Sequence, residues 1–507
     1  MSKPATRPNR EACKEQRQHK KQQEKALRAR QAEAGILPRP TATLPNACSE
    51  YATVEEERAA RTEAATGQLA VLRQQLPRLL QRLEKIHDPR NPQRIKHKLT
   101  VLLLYGLLTF VFQFASRRAA NRELTRPCFE QSLRQLFPEL ETLPHADTLY
   151  RLLREIDVRH LEEAHWALVE RLIRGKKFRR YLIQNAYPIA IDGSQKLGGD
   201  TLWDPEMLQR THGQGESAHT QYYLYVLEAS LSFHNGMVIP LCSEFLAHGL
   251  GDSERQKQDC ELRAFERLCT RLKQYFPRLP ILLLLDGLYA NGPVMARCRE
   301  LNWDFMIVLK DDSLRTVWDE YQGLLPLQSK HRLERDWNGR RQRFAWVNDI
   351  PYDYGPNQRR HQIVHVVACE ETWEEVDPTG TVIPKTSRHA WLSSRPLSRL
   401  NIHDRCNLGA RARWGIEAGF LVEKHQGYHY EHPFARDWNA MRGYHLLMRM
   451  AHLFNTLARF AAHLKTFYAQ LGVRGMIAFV RSTCAGLWLE PAAVQARLAH
   501  LRLLRLA

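Results

Sequence analysis

Three acidic residues lie where the sequence pattern would let carboxylates act together. Asp192 closes the apolar run 187–191, and Asp286 closes a second apolar run at 281–285. Glu417 lies in a segment with the spacing of a helix. Carboxylate oxygens are ligands that Mg²⁺ prefers, and two divalent ions held together can drive displacement at a phosphodiester. The residue types and their placement therefore predict a site for two divalent metals.

The composition is strongly basic and is typical of a globular protein. The chain has 507 residues, 44% of them hydrophobic, which allows a sizeable core and roughly three or four structural units. Lys and Arg number 74 against 55 Asp and Glu, a formal net charge of +19. This balance favours a polyanionic partner, most simply DNA or RNA, although ribosomal and membrane-surface proteins are also basic. With the three carboxylates, it predicts metal-dependent chemistry on nucleic acid.

The cysteines and the start of the chain indicate a cytoplasmic protein. Ten cysteines are scattered without a Cys-x-x-Cys pair, which suits reduced thiols better than disulfides or a structural zinc site. The first residues lead into a charged stretch, so no secretory signal is expected. The apolar run 99–115 has 17 residues, whereas a spanning helix needs about 20. We expect a buried helix there; a membrane-anchored protein is the alternative.

Alternating strands and helices between 187 and 310 would position Asp192 and Asp286. The pattern reads strand, strand, strand, helix, strand, helix, strand. The predicted strands are 187–192, 221–233, 237–245, 281–286 and 305–310, and the predicted helices are 253–276 and 293–301. This order matches an RNase H-like sheet, in which the first and fourth strands are parallel neighbours. The two aspartates would then lie side by side at one edge.

Helix geometry puts Glu417 beside two basic residues. At about 100° per residue, Arg413 lies about 40° from Glu417 and Lys424 about 20° away, so the three form one polar stripe. An apolar strip runs beside it: Trp414, Ala418 and Leu421. A helix that laid this boundary on the open edge of the sheet would aim Glu417 at the aspartates and bring Arg413 near bound phosphate. The alternative is a surface i,i+4 salt bridge.

In these residues the chain resembles the bacterial insertion-sequence transposases of the DDE type. The likeness is to the cut-and-paste group whose last acidic residue lies in the signature Tyr-x-x-Arg-x-x-x-Glu-x-x-x-x-x-x-Lys, the YREK type. Arg413, Glu417 and Lys424 match its spacing, and the resemblance spans roughly residues 90–460. Ala410 stands at the tyrosine position, which puts in question the DNA-end contact of that tyrosine but not the acidic triad.

The resemblance implies an enzyme that cuts DNA at transposon ends and joins those ends to target DNA. Asp192, Asp286 and Glu417 would be catalytic and would hold two Mg²⁺, for which Mn²⁺ would substitute. The partners implied are double-stranded DNA, as terminal inverted repeats and as target, and a second copy of the chain in a homodimer on DNA. No membrane is implied, and the location would be the bacterial cytoplasm, at the nucleoid.

Five residues are candidates for DNA contact: Arg413, Lys424, Lys310, Trp337 and Trp391. Lys310 ends the fifth predicted strand and points towards the acidic edge by topology, although a charge that ends a strand is also routine. Related enzymes often use a hairpin intermediate in which a tryptophan stacks on a flipped base, and such stacking is worth about 1–3 kcal/mol per base. Trp337 and Trp391 are candidates for that contact, and burial in the core is the alternative for each.

The predicted fold is α/β: an RNase H-like core interrupted by a β-rich insertion, with a helical DNA-binding domain before it and a helical region after it. The predicted domains are a flexible basic arm (1–50), a helical DNA-binding domain (51–180), the first part of the core (181–310), the insertion (311–400), the catalytic helix (401–433) and the C-terminal helices (434–507). The arm has 11 Lys or Arg and 5 Asp or Glu, and an idle solvated tail is the alternative.

Other readings of the same residues lead to different functions. A non-catalytic DNA-binding descendant of a transposase is disfavoured because all three acidic positions are present. A metal-dependent nuclease without strand transfer would look much the same, although Arg413, Lys424 and a long insertion suit the holding of transposon ends. The segment Lys257-Gln258-Asp259-Cys260-Glu261, which precedes an apolar helix face, either supports the site or contacts DNA, or is simply a solvated helix start.

Overall fold

The first of two units carries the basic N-terminal segment. The computed structural model describes residues 10–34, 50–214, 218–253, 256–258, 260–376 and 382–506. The chain divides into the units 1–57 and 58–507. In the first unit, α1 (Arg10–Glu33) is a helix whose described side chains are exposed. The helix is consistent with a composition rich in the helix-favouring types Ala, Gln, Glu, Lys and Arg. The flexible arm predicted for 1–50 stays a prediction, and most of its other residues lie outside the described part of the chain.

The chain up to the first strand is helical, as predicted for 51–180. The helices are α2 (Val54–Leu83), α3 (Leu99–Val111), α4 (Arg117–Leu124), α5 (Pro127–Leu136), α6 (Ala146–Glu155) and α7 (Arg159–Arg174). α3 is buried along almost its whole length, which confirms a buried helix in the apolar run 99–115. Among the described residues, no helix combines the length and the apolar character that crossing a membrane requires.

A large mixed sheet follows the helices. Its strands are β1 (Tyr187–Gly199), β2 (Leu208–His212), β3 (His219–Ser232), β4 (Val238–Leu246), β7 (Ile281–Leu285), β8 (Asp304–Val308), β9 (Arg332–Trp337), β10 (Arg340–Tyr354), β11 (Arg360–Val376) and β12 (Val382–Ser393). β5 (His248–Ser253) and β6 (Gln256–Gln258) pair separately. The order across the large sheet is β2-β3-β1-β7-β8-β12-β11-β10-β9, and β4 also pairs with β3.

The pairing of β1 and β7 confirms that the strands leading to the two aspartates are parallel neighbours. Tyr187 is level with Ile281 in that pairing. Asp286 directly follows β7, as predicted. Asp192 does not end its strand, however, because β1 continues to Gly199 in antiparallel pairing with β3. The side chain of Asp192 therefore stands where β1 passes beyond the end of β7.

Seven helices are described after the first part of the sheet: α8 (Glu261–Tyr275), α9 (Gly292–Glu300), α10 (Arg315–Leu324), α11 (Trp414–His425), α12 (Trp438–Arg459), α13 (Lys465–Ala485) and α14 (Pro491–Ala499). The predicted helix 253–276 is wrong at its start, since α8 begins at Glu261 and the preceding described residues belong to β5 and β6. The helical character predicted for the C-terminal region is confirmed by α12, α13 and α14.

The strands predicted between 311 and 400 form, but they do not fold apart from the sheet. β12 pairs antiparallel with β8, so β9 to β12 extend the same sheet beyond β8. α10 precedes them, whereas the sequence predicted only short β-like pieces in this segment. The shared register explains the continuity: Trp391 of β12 is level with Val308 of β8, and both carry apolar side chains.

Alternation along the strands gives the sheet two different faces. Ile189 and Leu283 join a core shared with α2, α3, α7 and α12. Their neighbours Ala190 and Leu284 join a second core on the opposite face, which includes Phe420 of α11. Side chains alternate with a period of two along a strand, so the residues two positions after Ala190 and Leu284 also lie on the face on which α11 packs.

α11 buries a different face from the one predicted. Its buried residues include Ile416, Phe420 and Glu423. Trp414 and Leu421, predicted as the apolar strip on the sheet, are 61% and 57% exposed. The prediction is wrong because it took Trp414, Ala418 and Leu421 as the buried strip and did not include Glu423, which is fully buried.

α11 approaches the hairpin of β3 and β4 closely at Gly415. A Cβ at Gly415 would collide with the hydroxyl of Ser232, so only glycine permits this approach. That hydroxyl donates a hydrogen bond to the carbonyl oxygen of Ala412, in the turn before α11. The start of the helix is therefore fixed against the sheet within one turn of Glu417.

Candidate active site

Asp192 and Asp286 continue the alternation that faces α11. Asp192 follows Ala190 by two residues, and Asp286 follows Leu284 by two. Each carboxylate accepts a local backbone hydrogen bond: Asp192 Oδ1 from the N–H of Gly193 at 2.9 Å, and Asp286 Oδ1 from the N–H of Leu288 at 2.9 Å. These bonds hold the two carboxylates at the rim of the sheet, on the side covered by α11.

Arg413 links Asp192 to Glu417. Its Nη1 lies 2.8 Å from Glu417 Oε1 and 3.5 Å from Asp192 Oδ2. The guanidinium is almost enclosed, with 7% of the side chain exposed. Its Nε is buried and has no hydrogen-bond partner among the described residues. Arg413 thus occupies the space between two carboxylates, with one buried N–H group that has no partner among the described residues.

Asp192 lies in the electrostatic field of the other two carboxylates. Its pKa is raised to about 6, mainly by burial, and the charges of Glu417 and Asp286 contribute in the same direction. The N–H of Gly193 and the charge of Arg413 act in the opposite direction. Burial disfavours the ionised form of this carboxylate, and a nearby cation would stabilise that form.

The donor set suits a hard cation, although no metal cage is preformed. No group of three His, Cys, Asp or Glu side chains in the described part of the chain already stands close enough to hold a metal ion. Carboxylate oxygens alone are nonetheless the donor type that Mg²⁺ prefers. Because Arg413 pairs with Asp192 and Glu417, a cation that used both carboxylates would have to compete with this guanidinium.

Glu261 is a fourth carboxylate near this site, where the sequence left open either a contact or a solvated helix start. Its Oε1 accepts a hydrogen bond from the Tyr225 hydroxyl at 2.5 Å, and its Oε2 accepts one from the Tyr289 hydroxyl at 3.3 Å. A Cβ at Gly193 would collide with the Tyr225 ring and lie 2.8 Å from Glu261 Oε1. Burial, followed by Glu261, raises the pKa of Tyr225. The residue after Asp192 is thus packed against a neutral phenol that a carboxylate holds in place.

Lys310 and Lys424 are placed differently. The aliphatic chain of Lys310 lies over Gly287, with its Cε 2.7 Å from where a Cβ would be, so this lysine runs beside Asp286 as the topology predicted. Lys424 Nζ instead lies 3.2 Å from Glu431, and its side chain is 20% exposed. The three residues predicted to form one polar stripe therefore do not act together. Arg413 contacts Glu417, whereas Lys424 contacts Glu431 in the segment that follows the helix.

The two tryptophans predicted to contact DNA surround the turn that carries Ala410. Trp391 is 4% exposed and stacks on His389, with the ring centroids 5.7 Å apart. The guanidinium of Arg411 lies 5.6 Å from the Trp391 ring and 5.5 Å from the Trp337 ring. Burial leaves Trp391 little surface for a base. The exposed Trp414, with Arg413 4.5 Å from its ring, is the more accessible aromatic side chain beside the carboxylates.

A cavity of about 370 Å³ lies between Ala410 and the ends of β8 and β12. Its lining includes Lys310, Arg411 and Trp414. Ala410 occupies the position at which the YREK signature has tyrosine, so the small side chain helps to leave this space open. The cavity adjoins the start of α11 at Trp414. Of its basic side chains, Arg388 pairs with Asp311 and Arg411 pairs with Glu371.

A buried charge network holds α11 against α12 and the sheet. Glu423 Oε1 lies 2.9 Å from Arg449 Nη1 and 2.6 Å from His452 Nδ1. Arg449 also lies 3.1 Å from Glu228 of β3. Burial would raise the pKa of Glu423, but Arg449 and His452 more than offset it and lower the pKa to about 2. The helix that carries Glu417 is therefore anchored from its buried side by ionised groups.

Comparison with known proteins concerns the helices before the sheet. Residues 80–169 match a family model described as DDE_Tnp_1-associated. A comparison with curated proteins gives no match. The matched segment ends before Asp192, so it does not include any of the three carboxylates. The match associates the chain with DDE-type transposases in general.

Proposed function

We propose that the chain is a DDE transposase that cleaves phosphodiester bonds at transposon ends and joins those ends to target DNA. The observation that carries the proposal is the pairing of Arg413 with both Asp192 and Glu417. Asp286 lies near enough to raise the pKa of Asp192. The family match to residues 80–169 supports a transposase in general. The net charge of +19 favours a DNA partner.

We propose that the catalytic core is RNase H-like. Strand order supports this: β4-β3-β1-β7-β8 runs across the sheet, with β3 antiparallel to β1 and β4 antiparallel to β3. β7 is parallel to β1, and β8 is parallel to β7. The parallel strands bring residues at their carboxyl ends to the same rim, where a carboxylate site is needed.

In the proposed reaction, phosphodiester bonds are exchanged without a covalent intermediate on the protein. In cleavage, a water oxygen attacks phosphorus, the P–O3′ bond breaks, and the leaving 3′ oxygen takes up a proton. In strand transfer, that 3′-OH oxygen attacks a target phosphorus as the target P–O3′ bond breaks. The number of phosphodiester bonds is unchanged in the second step, so the proposed strand transfer requires no external energy source.

The proposed roles of the residues follow from their positions. Asp192, Asp286 and Glu417, once ionised, would hold two Mg²⁺, with Mn²⁺ as a substitute. Bound Mg²⁺ would supply activation of the attacking oxygen and stabilisation of the leaving oxygen. Arg413 would exchange its carboxylate contacts for a DNA phosphate, using the Nε–H that has no partner among the described residues. Lys310, beside Asp286, would contact a second phosphate.

The test uses a plasmid that carries the gene with its native flanking DNA, purified protein and Mg²⁺. We expect wild type to excise a defined fragment, and Asp192→Asn, Asp286→Asn and Glu417→Gln to lower excision at least about a hundredfold, as removal of a charged group that stabilises the transition state does. Each variant should still bind the DNA. Glu130→Gln, a surface carboxylate paired with Arg134, is the matched control.

Other outcomes of this test have definite meanings. Full activity in any one triad variant would remove that residue from the catalytic site. Random nicking without excision would indicate a metal-dependent nuclease that shares the site but not strand transfer. Binding without any cutting by wild type would indicate a non-catalytic DNA-binding descendant. A homodimer on the DNA ends is proposed as the active form and would appear as a change in mass on binding.

A further inference from the structure

A second positively charged surface lies away from the carboxylates, between α2, α7 and the C-terminal segment. It is a cavity of about 670 Å³. Its floor is apolar and includes Leu79, Leu168 and Leu172, all buried. None of its lining residues belongs to β1, β7 or α11, which carry the candidate active site. The cavity is therefore a separate feature of the second unit and needs its own explanation.

Most of the charged side chains that line this cavity are basic. Five contribute positive charge: Arg78, Arg82, Arg171, Arg174 and Lys177. Glu170 is the acidic side chain described in the lining, and it pairs with Arg174 at 2.7 Å. Lys177 donates to the carbonyl oxygen of Leu504, which brings the C-terminal segment to the cavity without neutralising the charge.

Three of these arginines have no counterion among the residues that the structure describes. Arg78, Arg82 and Arg171 form no ion pair there. Burial lowers the pKa of Arg171, and the nearby charge of Arg78 lowers it further. Arg78 and Arg82 are exposed and Arg171 is half-buried, so the three side chains are accessible to an anion that enters the cavity. Arginine presents a planar fork that matches a phosphate bidentately.

We propose that this cleft binds phosphate groups, and that in the protein's reaction these belong to the backbone of a DNA duplex. The DNA part rests on the proposed transposase function; phosphate binding by the cleft does not. The side chains supply charge and no base-specific donor–acceptor pattern, so the contact positions DNA rather than reads its sequence. The cleft would add a DNA contact outside the site where the strands are cut.

The test measures binding by the full chain in EDTA, so that cleavage plays no part. The variants are Arg78→Gln, Arg171→Gln and the double variant, and the control is Arg159→Gln, on α7 but outside the cleft and paired with Asp157. Two ligands are titrated: a DNA duplex, at several salt concentrations, and inorganic tripolyphosphate, detected by the shift in melting temperature at low salt.

We expect each cleft variant to bind the duplex several-fold more weakly than wild type. The slope of log K against log salt should fall by about 0.9 for each phosphate that the variant no longer neutralises. The melting temperature without ligand should stay the same or rise, because a repulsion is removed. An arginine with a merely structural role would lower it. Tripolyphosphate should stabilise wild type and the control but not the double variant.

The two titrations, compared with cleavage by the triad variants, distinguish failure of the cleft proposal from failure of the proposed transposase function. Loss of tripolyphosphate stabilisation with unchanged duplex affinity would support a phosphate site for a free ligand and overturn the DNA part. Unchanged binding of both ligands in the double variant would overturn the proposal. Reduced duplex affinity in a protein whose triad variants still cut DNA would support the cleft while refuting the triad.

Discussion

Arg413 explains how two acidic side chains can lie close together before any cation binds. Asp192 and Glu417 would repel each other in a partly buried site, and the guanidinium between them offsets that repulsion. Burial nevertheless raises the pKa of Asp192 to about 6, with a smaller contribution from the charge of Glu417. In the proposed function, a cation of higher charge would replace Arg413 at these carboxylates.

The raised pKa of Asp192 predicts how activity depends on pH. Below pH about 6 the carboxyl group is protonated and cannot bind a cation; above it, the group is ionised and can do so. Cleavage with Mg²⁺ should therefore fall as pH is lowered through about 6, roughly tenfold per pH unit for a single ionisation. The measurement is the initial rate of cleavage from pH 5 to 8 at saturating DNA.

Binding of Mn²⁺ over the same pH range gives an independent check of that ionisation. Affinity should decrease as the pH falls, because the cation competes with a proton for Asp192. A cleavage rate that stayed constant between pH 5 and 7, with chemistry rate-limiting, would contradict a role for Asp192 as an ionised ligand with the raised pKa. The Glu130→Gln variant should follow the wild-type profile.

At the level of residues, the sequence could predict site residues only where a charged side chain stands out from an apolar pattern. Asp192 and Asp286 could be chosen because a carboxylate directly after an apolar run is unusual, and Arg413 because helical spacing places it beside Glu417. Tyr225 could not be chosen, because a tyrosine in a strand reads as an ordinary β-forming residue. Its contact with Glu261 depends on the packing of α8, which sequence spacing does not show.

Among the elements, α11 depends on α12 for its position. Glu423 faces away from the active site and meets Arg449 and His452, while Glu417 faces Arg413. One helix thus uses carboxylates on two of its faces for different purposes. The predicted buried strip of Trp414, Ala418 and Leu421 was wrong because helical spacing alone does not show that a charged residue such as Glu423 is buried. The partner that neutralises Glu423 lies on another helix and could not be paired with it from sequence.

Loss of Arg449 should destabilise the protein strongly. Arg449→Met leaves Glu228 and Glu423 buried without their shared cation, and breaking a buried ion pair typically costs about 3–5 kcal/mol in the free energy of unfolding. The measurement is urea unfolding followed by circular dichroism. Glu130→Gln removes a surface pair on α5 and should cost less than about 1 kcal/mol. A decrease below about 1 kcal/mol for Arg449→Met would mean that this network does not anchor α11.

For the whole molecule, one sheet links segments that the sequence divided into core and insertion. The strand types between 311 and 400 could be predicted, because alternation and turn residues are local signals. Their continuation of the sheet through β8 and β12 could not, since pairing between distant strands leaves no local pattern. The connection has a consequence at the site: Glu371 of β11 pairs with Arg411, two residues before Arg413.

The basic N-terminal segment should act as a separate source of DNA affinity. Residues 1–50 carry 11 Lys or Arg and 5 Asp or Glu of a chain with net charge +19. The boundary between units lies at residue 57, so removal of residues 1–50 should leave the melting temperature of the second unit unchanged. Duplex affinity should fall, and the slope of log K against log salt should become shallower by about 0.9 for each phosphate that the segment neutralises in the full chain.

A full-length variant tests whether the positive charge of the segment, rather than its presence, provides the DNA affinity. Lys20→Gln, Lys21→Gln and Lys25→Gln together remove three charges from exposed positions of α1 without shortening the chain. If the segment binds DNA through its charge, the triple variant should lie between wild type and the deletion in both affinity and salt slope. If the deletion leaves the slope unaltered, the segment is an idle solvated tail, and the non-specific affinity must come from the second unit alone.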